Sequence, residues 1–170
     1  MPATYESIAS TTLGASAASV TFSSISGSYT DLVIVGQYSF ISNGIRYANF
    51  RVGNGSVDTG SNYSNTYFDS YTGSAGSGRN SNLTLGLFSY SSNAGLTTSQ
   101  YQVGIMHFMN YSNTTTNKTT LSRNMSAGDM TSLYVNLWRS TAAINTIQVI
   151  SGNADFASGS TFTLYGIKAA

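Results

Sequence analysis

Six carboxylates, one histidine and twelve tyrosines are the side chains of this 170-residue chain with the most chemistry to offer. Glycoside hydrolysis needs two carboxylates on one sugar ring, about 5 to 9 Å apart. Among Glu6, Asp31, Asp58, Asp69, Asp129 and Asp155, the pair that best suits it is Asp58 with Asp69, which flank a Tyr/Asn-rich segment. Both read more simply as turn and strand-end acceptors, as does Asp31 behind Gly27-Ser28-Tyr29-Thr30. His107 shares a face with Tyr101, Val103, Ile105 and Met109 at the period of a strand, which suits a half-buried or interface histidine whose titration tunes assembly. No Gly-x-Ser-x-Gly elbow accompanies it, and a lone histidine cannot build, within a single chain, a zinc site that needs two or three imidazole ligands. Gly73 to Gly78 lacks the Lys-Ser/Thr ending of a phosphate loop. Asp58-Thr-Gly-Ser-Asn62 resembles a calcium loop only superficially, because the dense acidic ligand set is missing. With no cysteine there is neither a disulfide framework nor a thiolate site. The sequence predicts no enzyme, no catalytic residue, no metal and no cofactor.

The tyrosines carry the positive signal. Tyr63, Tyr67, Tyr71, Tyr90 and Tyr111 stand in or beside polar segments and form the expected loop contact surface. A tyrosine presents a rigid apolar body with a polar tip, suited to stacking on a sugar or anchoring a protein interface. Trp138, inside Leu133-Tyr-Val-Asn-Leu-Trp-Arg139, reads instead as packed within a sheet.

The elements that must position these side chains are strands. Alternating or apolar runs over 20–25, 31–40, 45–52, 66–71, 83–88, 101–109, 119–125, 133–138, 146–150 and 162–167, with a weaker one at 5–9, are separated by Ser, Gly and Asn clusters. Several are apolar on both faces: one face meets a core and the other is left for a neighbouring subunit. The Ser/Gly stretch 72–78 is the expected long exposed loop, with 111–117 the second. About ten strands and no helix predict an all-β fold, a single antiparallel β-sandwich over 1–170 of about 8–10 strands, jelly-roll-like rather than immunoglobulin-like.

Composition narrows the function classes. Only 8% of residues are charged and the net charge is +1, so Ser, Thr and Asn cover the surface and nothing favours a nucleic acid partner. With 41% apolar residues the chain builds a core rather than remaining disordered. The N-terminus shows neither a basic nor an apolar leader region, and no run is long enough to cross a membrane as a helix.

Two ends of the chain carry a family likeness. Met1-Pro-Ala-Thr-Tyr-Glu-Ser-Ile-Ala-Ser-Thr-Thr-Leu-Gly14, Ala18-Ser-Val-Thr-Phe-Ser-Ser-Ile25 and Tyr29-Thr-Asp-Leu-Val-Ile-Val35 at the start, and Phe156-Ala-Ser-Gly-Ser-Thr-Phe-Thr-Leu-Tyr-Gly-Ile-Lys168 at the close, resemble a virion structural module of tailed bacteriophages of aquatic and cyanobacterial hosts. The segments Leu137-Trp-Arg-Ser140 and Ala143-Ile-Asn-Thr-Ile-Gln-Val149 extend the resemblance into the middle. It implies an oligomerising β-sandwich, often a homotrimer, made in the host cytoplasm and placed on the outer surface of the virion. There it acts as a capsid decoration or cement protein on the major capsid protein, or as a short tail or head fibre that contacts host surface glycans. The ends at Met1 and just after Lys168 leave no room for a shaft or anchoring arm, which favours the compact decoration protein. No catalytic residue comes with the resemblance.

Overall fold

The computed structural model describes residues 4–71, 73–91, 101–126 and 130–168. They form thirteen strands: β1 (Tyr5–Thr12), β2 (Ser19–Phe22), β3 (Asp31–Tyr38), β4 (Arg46–Asn54), β5 (Ser56–Val57), β6 (Tyr63–Tyr71), β7 (Ser74–Leu83), β8 (Gly86–Ser91), β9 (Gln102–Phe108), β10 (Lys118–Met125), β11 (Met130–Trp138), β12 (Thr146–Gly152) and β13 (Thr161–Ile167). The eight-stranded sheet runs β1-β13-β3-β9-β10-β11-β6-β7, and the five-stranded sheet runs β2-β12-β4-β5 with β8 also paired to β4. All these pairings are antiparallel. The antiparallel sandwich expected from the alternation is what forms, with more strands than expected and no helix among the described residues.

Two expected boundaries are corrected. The expected loop 72–78 is not one over 73–78: Gly73, at a φ of +83°, turns the chain, and Ser74 onward pairs with β6 as β7, while Thr72 lies outside the described residues. The expected strand 83–88 is split, because Leu83 closes β7 and β8 opens only at Gly86. Both follow from long-range pairing overriding local composition. The second expected loop, 111–117, remains outside any strand.

One core joins the layers. Tyr38 of β3 stacks on Phe162 at 5.3 Å between centroids, meets Phe40, Phe88 and Phe156 at 5.5 to 5.9 Å, and donates its hydroxyl to Ser89 Oγ of the opposite sheet at 2.5 Å. Gly36 and Gly104 leave room for these rings, since a Cβ at 104 would stand 2.8 Å from Phe88. Val52, Phe50, Ile147 and Val149 fill the other layer. Edge strand β7 is Ser/Gly-rich and carries Arg79, a composition that discourages further strand addition.

The central strands of the large sheet invert the usual polarity. On β10 and β11 the buried positions are Lys118, Thr120, Ser122, Asn124, Ser132 and Asn136, together with Met130, Tyr134 and Trp138. The alternate, outward positions are mostly aliphatic, Leu121, Met125, Leu133, Val135 and Leu137, with Thr119, Arg123 and Thr131 among them. The buried polar groups are tied to β8. Leu87 N donates to Asn136 Oδ1 at 2.9 Å, Asn136 Nδ2 returns a bond to Leu87 O at 3.1 Å, and Ser122 Oγ reaches the same carbonyl at 3.3 Å. Asn124 Nδ2 donates to Tyr90 O at 3.3 Å. Asn136 thus stands in for a strand partner, satisfying backbone groups of β8 that would otherwise be desolvated without bonds.

Candidate functional site

Two surfaces gather functional side chains, on opposite faces of the large sheet. The outer face is apolar. Register places Val33, which is itself buried, His107, Leu121 and Val135 in one row across β3, β9, β10 and β11 that goes on through Thr66 to Arg79, and Val35, Ile105, Arg123, Leu133 and Phe68 in the next, which goes on to Ser77 of β7. Phe68 and Met125 are each 56% exposed, Val135 45% and Leu133 43%. Exposed apolar side chains gathered on one face in this way, here around Arg123, mark interaction surfaces. Among the described outward residues of β9, β10, β11 and β6, Arg123 is the one permanently charged side chain and His107 the other ionisable one. His107 lies between Val33 and Leu121, on the face expected of it.

The inner surface is a cleft of about 380 Å3 where the two sheets part. One wall comes from β6 and β7 with Tyr67, Asp69 and Asn80, the other from β4 and β8 with Tyr47 and Tyr90, and Tyr134 lies beneath. Tyr47 and Tyr90 stack at 5.1 Å, and Tyr67 packs at 5.9 Å on Tyr134. Glycines on β7 leave room for two of the lining side chains: a Cβ at Gly78 would stand 2.6 Å from Tyr67 Oη, and one at Gly76 would overlap Asp69 Oδ1. Each glycine pairs in register with the side chain that crosses it. Burial, partly offset by Ser132 and reinforced by the charge of Asp69, pushes the Tyr134 phenol well up, so it stays a neutral hydroxyl. A second cleft of about 500 Å3 continues from the first through Tyr47, Asn80 and Leu87 and adds Asn49, Asn65 and Asn153.

The expected tyrosine surface divides. Tyr67 and Tyr90 line the cleft, and Tyr71, 38% exposed, ends β6 on the same side as Tyr67. Tyr63 and Tyr111 are fully buried and are corrected out of any contact surface. Tyr63 Oη accepts from Val52 N at 3.1 Å and bonds to Asp58 O at 3.1 Å, and burial pushes its phenol up to about 12. Tyr111 donates to Ser26 O in the segment between β2 and β3. Tyr47 and Tyr134 were missed; the signal available was their place in strands rather than loops.

The carboxylates do not form a glycosidase pair. Asp58 sits just before β6 against the indole of Trp138, which pairs with Tyr63, whereas Asp69 lies six residues further along β6. That is about 20 Å of strand, more than one sugar ring allows. Asp58 is occupied as an acceptor, from Trp138 Nε1 at 2.7 Å, Asn62 Nδ2 at 2.8 Å and Gly60 N at 2.8 Å. Its oxygens therefore face donors rather than an ion. Partial burial pushes its carboxyl up, but these bonds outweigh it and hold the group below the usual range. Among the described residues no cluster of three or more His, Cys, Asp or Glu suits a metal. Asp31 opens β3 as expected, but the bond it accepts comes from Asn110 N, 79 residues away, at 2.6 Å rather than from its own turn. Asp129 lies outside the described residues.

No family model matches the chain, and no curated protein matches it. Among solved structures it is similar to CG-16, a homodimeric agglutinin from chicken liver, at 9% identity and a TM-score of 0.35, over 85% of this chain and 98% of that one. It is similar to the galectin LEC-6 of Caenorhabditis elegans at 8% identity and a TM-score of 0.35, over 94% and 96% of the two chains. Scores this low carry no argument about ligand or partner.

Proposed function

We propose that this chain is a non-enzymatic structural protein of a tailed-bacteriophage particle, a decoration or cement protein that oligomerises, as a homotrimer, and docks on the outer shell. The observation that carries the assembly role is the inverted polarity of β10 and β11. Period-two alternation fixes which residues share a face, so a one-residue change in pattern would have put Leu121, Leu133 and Val135 in the core. The chain instead buries Ser and Asn against β8 and turns its aliphatic residues outward, an arrangement that is stable in water once a second surface covers them. The scarcity of charge suits the same role, because fewer long charged side chains must be ordered and desolvated on contact. The sequence resemblance supplies the phage setting. Binding only to the assembled shell would stabilise it by mass action.

The test is solution mass and particle stoichiometry. Wild type is expected to sediment as an oligomer, and Val135→Lys with Leu133→Glu as a folded monomer. A wild-type monomer at tens of micromolar, or an oligomer untouched by the double substitution, removes the outer face as the interface. Copy number per particle separates the locations: hundreds indicate decoration, whereas a few dozen indicate a tail or vertex fibre.

A further inference from the structure

We propose that the paired clefts between β6–β7 and β4–β8 bind a neutral oligosaccharide, with the Tyr67, Tyr90 and Tyr47 rings as stacking surfaces and Asp69 and Asn80 as the hydroxyl-reading groups. The site lies on the opposite sheet face from the proposed assembly surface and does not depend on that reading.

Three features single out this ligand class. First, the walls combine aromatic faces with amide and carboxylate groups, the pairing that a sugar ring requires: an apolar face of C–H groups and a rim of hydroxyls. Second, Asp69 is the one charged side chain lining either cleft among the described residues, and it is negative. An acidic sugar or a phosphate would meet repulsion from Asp69 with no cation among the lining side chains, Arg51 holding the Thr84 carbonyl at the rim, whereas neutral hydroxyls can donate to the carboxylate. Third, the second cleft adjoins the first, sharing Tyr47, Asn80 and Leu87 with it, and is lined by Asn49, Asn65, Asn80 and Asn153, which suits a chain of rings rather than one. Asn80 Nδ2 already bonds to Asn65 Oδ1 at 3.1 Å, so the amides are oriented before any ligand arrives. The glycines at 76 and 78 keep Tyr67 and Asp69 lying across β7, where any larger residue would displace them.

The test uses the full chain in its native oligomeric state, titrated with neutral tetra- to hexasaccharides of glucose, galactose and mannose, with sialylated and sulfated counterparts, and with a polyproline peptide. Saturation-transfer NMR and calorimetry read binding. At least one neutral oligosaccharide is expected to bind, with acidic counterparts weaker. Tyr67→Ala should weaken binding about tenfold or more through lost stacking. Asp69→Asn, which keeps the side-chain volume, guards against misfolding in the first variant and should weaken binding severalfold. The proposal is overturned if no neutral oligosaccharide binds at about 10 mM, a concentration above the weakest affinity a specific site would show. It is equally overturned if both variants bind as wild type does, if acidic sugars bind better, or if only the peptide binds, because aromatic grooves also accept polyproline helices.

Discussion

Replacing Asp58 tests whether this carboxylate is a structural fastener or a chemical group. In the fold it holds the end of β11 to the turn that leads into β6, through one bond from a nearly buried indole and two from its own turn. Asn can keep only one oxygen. Its best placement leaves that oxygen on Trp138 Nε1 and Asn62 Nδ2 and turns the amide nitrogen toward Gly60 N, where two donors face each other. One charge-assisted bond is lost and two become neutral, about 2 kcal/mol after discounting for the partly exposed setting. Asp58→Ala also strands the indole N–H of Trp138, a residue 4% exposed, and should cost about 3–4 kcal/mol. For a chain of this size that lowers Tm by roughly 10 °C. Trp138→Phe removes the stranded donor, so a double-mutant cycle should return a coupling of about 1–2 kcal/mol.

The pH dependence follows with a definite sign. The folded Asp58 carboxyl titrates below its unfolded value of about 3.9, so its stabilisation is complete above that pH and disappears as pH falls through the folded value. Urea unfolding followed by circular dichroism, from about pH 7 down to about pH 2, is the assay. The gap between wild type and Asp58→Ala should be wide at neutral pH and narrower in acid, where the protonated carboxyl, like Asn, still offers one oxygen to the indole. Equal stability at neutral pH, or a gap of the same width at both, would refute the fastener role. Asp58→Asn should leave oligomer mass unchanged below its Tm.

Two further outcomes are expected. Burial raises the phenols of Tyr38, Tyr63 and Tyr134 above their unfolded value of about 10, so stability is full below that pH and should fall above it as the unfolded chain alone ionises, by about 1.4 kcal/mol per pH unit for each tyrosine. Urea midpoints that stay flat between about pH 9 and about pH 11.5 would contradict this. Gly86→Ala would drive a methyl into the Phe50 ring, which is 1% exposed, and should destabilise by about 1–3 kcal/mol in thermal unfolding; an unchanged Tm would mean that β8 shifts freely.

The strands were largely legible because period-two alternation is a local property: β3, β9, β10, β11 and β13 stand close to where it put them. Three features were not local. Residues 74–83 form a strand because β6 supplies the ladder and because Asp69 and Tyr67 need the space that Gly76 and Gly78 leave; by composition alone the segment reads as a loop. Its own clue was the spacing of two between those glycines. Tyr63 and Tyr111 are buried because their hydroxyls find carbonyls at Asp58 and Ser26, and the second of these lies 85 residues away. The inward turn of Ser122, Asn124 and Asn136 depends on the β8 backbone, whose position no property of β10 or β11 reports.

That last arrangement links the two proposed surfaces. Along β6 the outward residues are Thr66, Phe68 and Ser70 while Tyr67, Asp69 and Tyr71 point to the cleft side; along β11, Leu133 and Val135 alternate with Tyr134 and Asn136. Strand alternation therefore separates an apolar attachment face from a polar aromatic recognition face by the thickness of one sheet. Covering the first in an oligomer leaves the second open, since no residue serves both. The buried Asn136 and Ser122 are what make this possible: by bonding to β8 they let the inner face be polar without stranding donors, and so free the aliphatic residues to face outward. Reversing the polarity at 133–136, with hydrophobic residues inward and Ser or Asn outward, would be expected to give a monomer that loses the β8 anchor and with it the Tyr90 wall of the cleft.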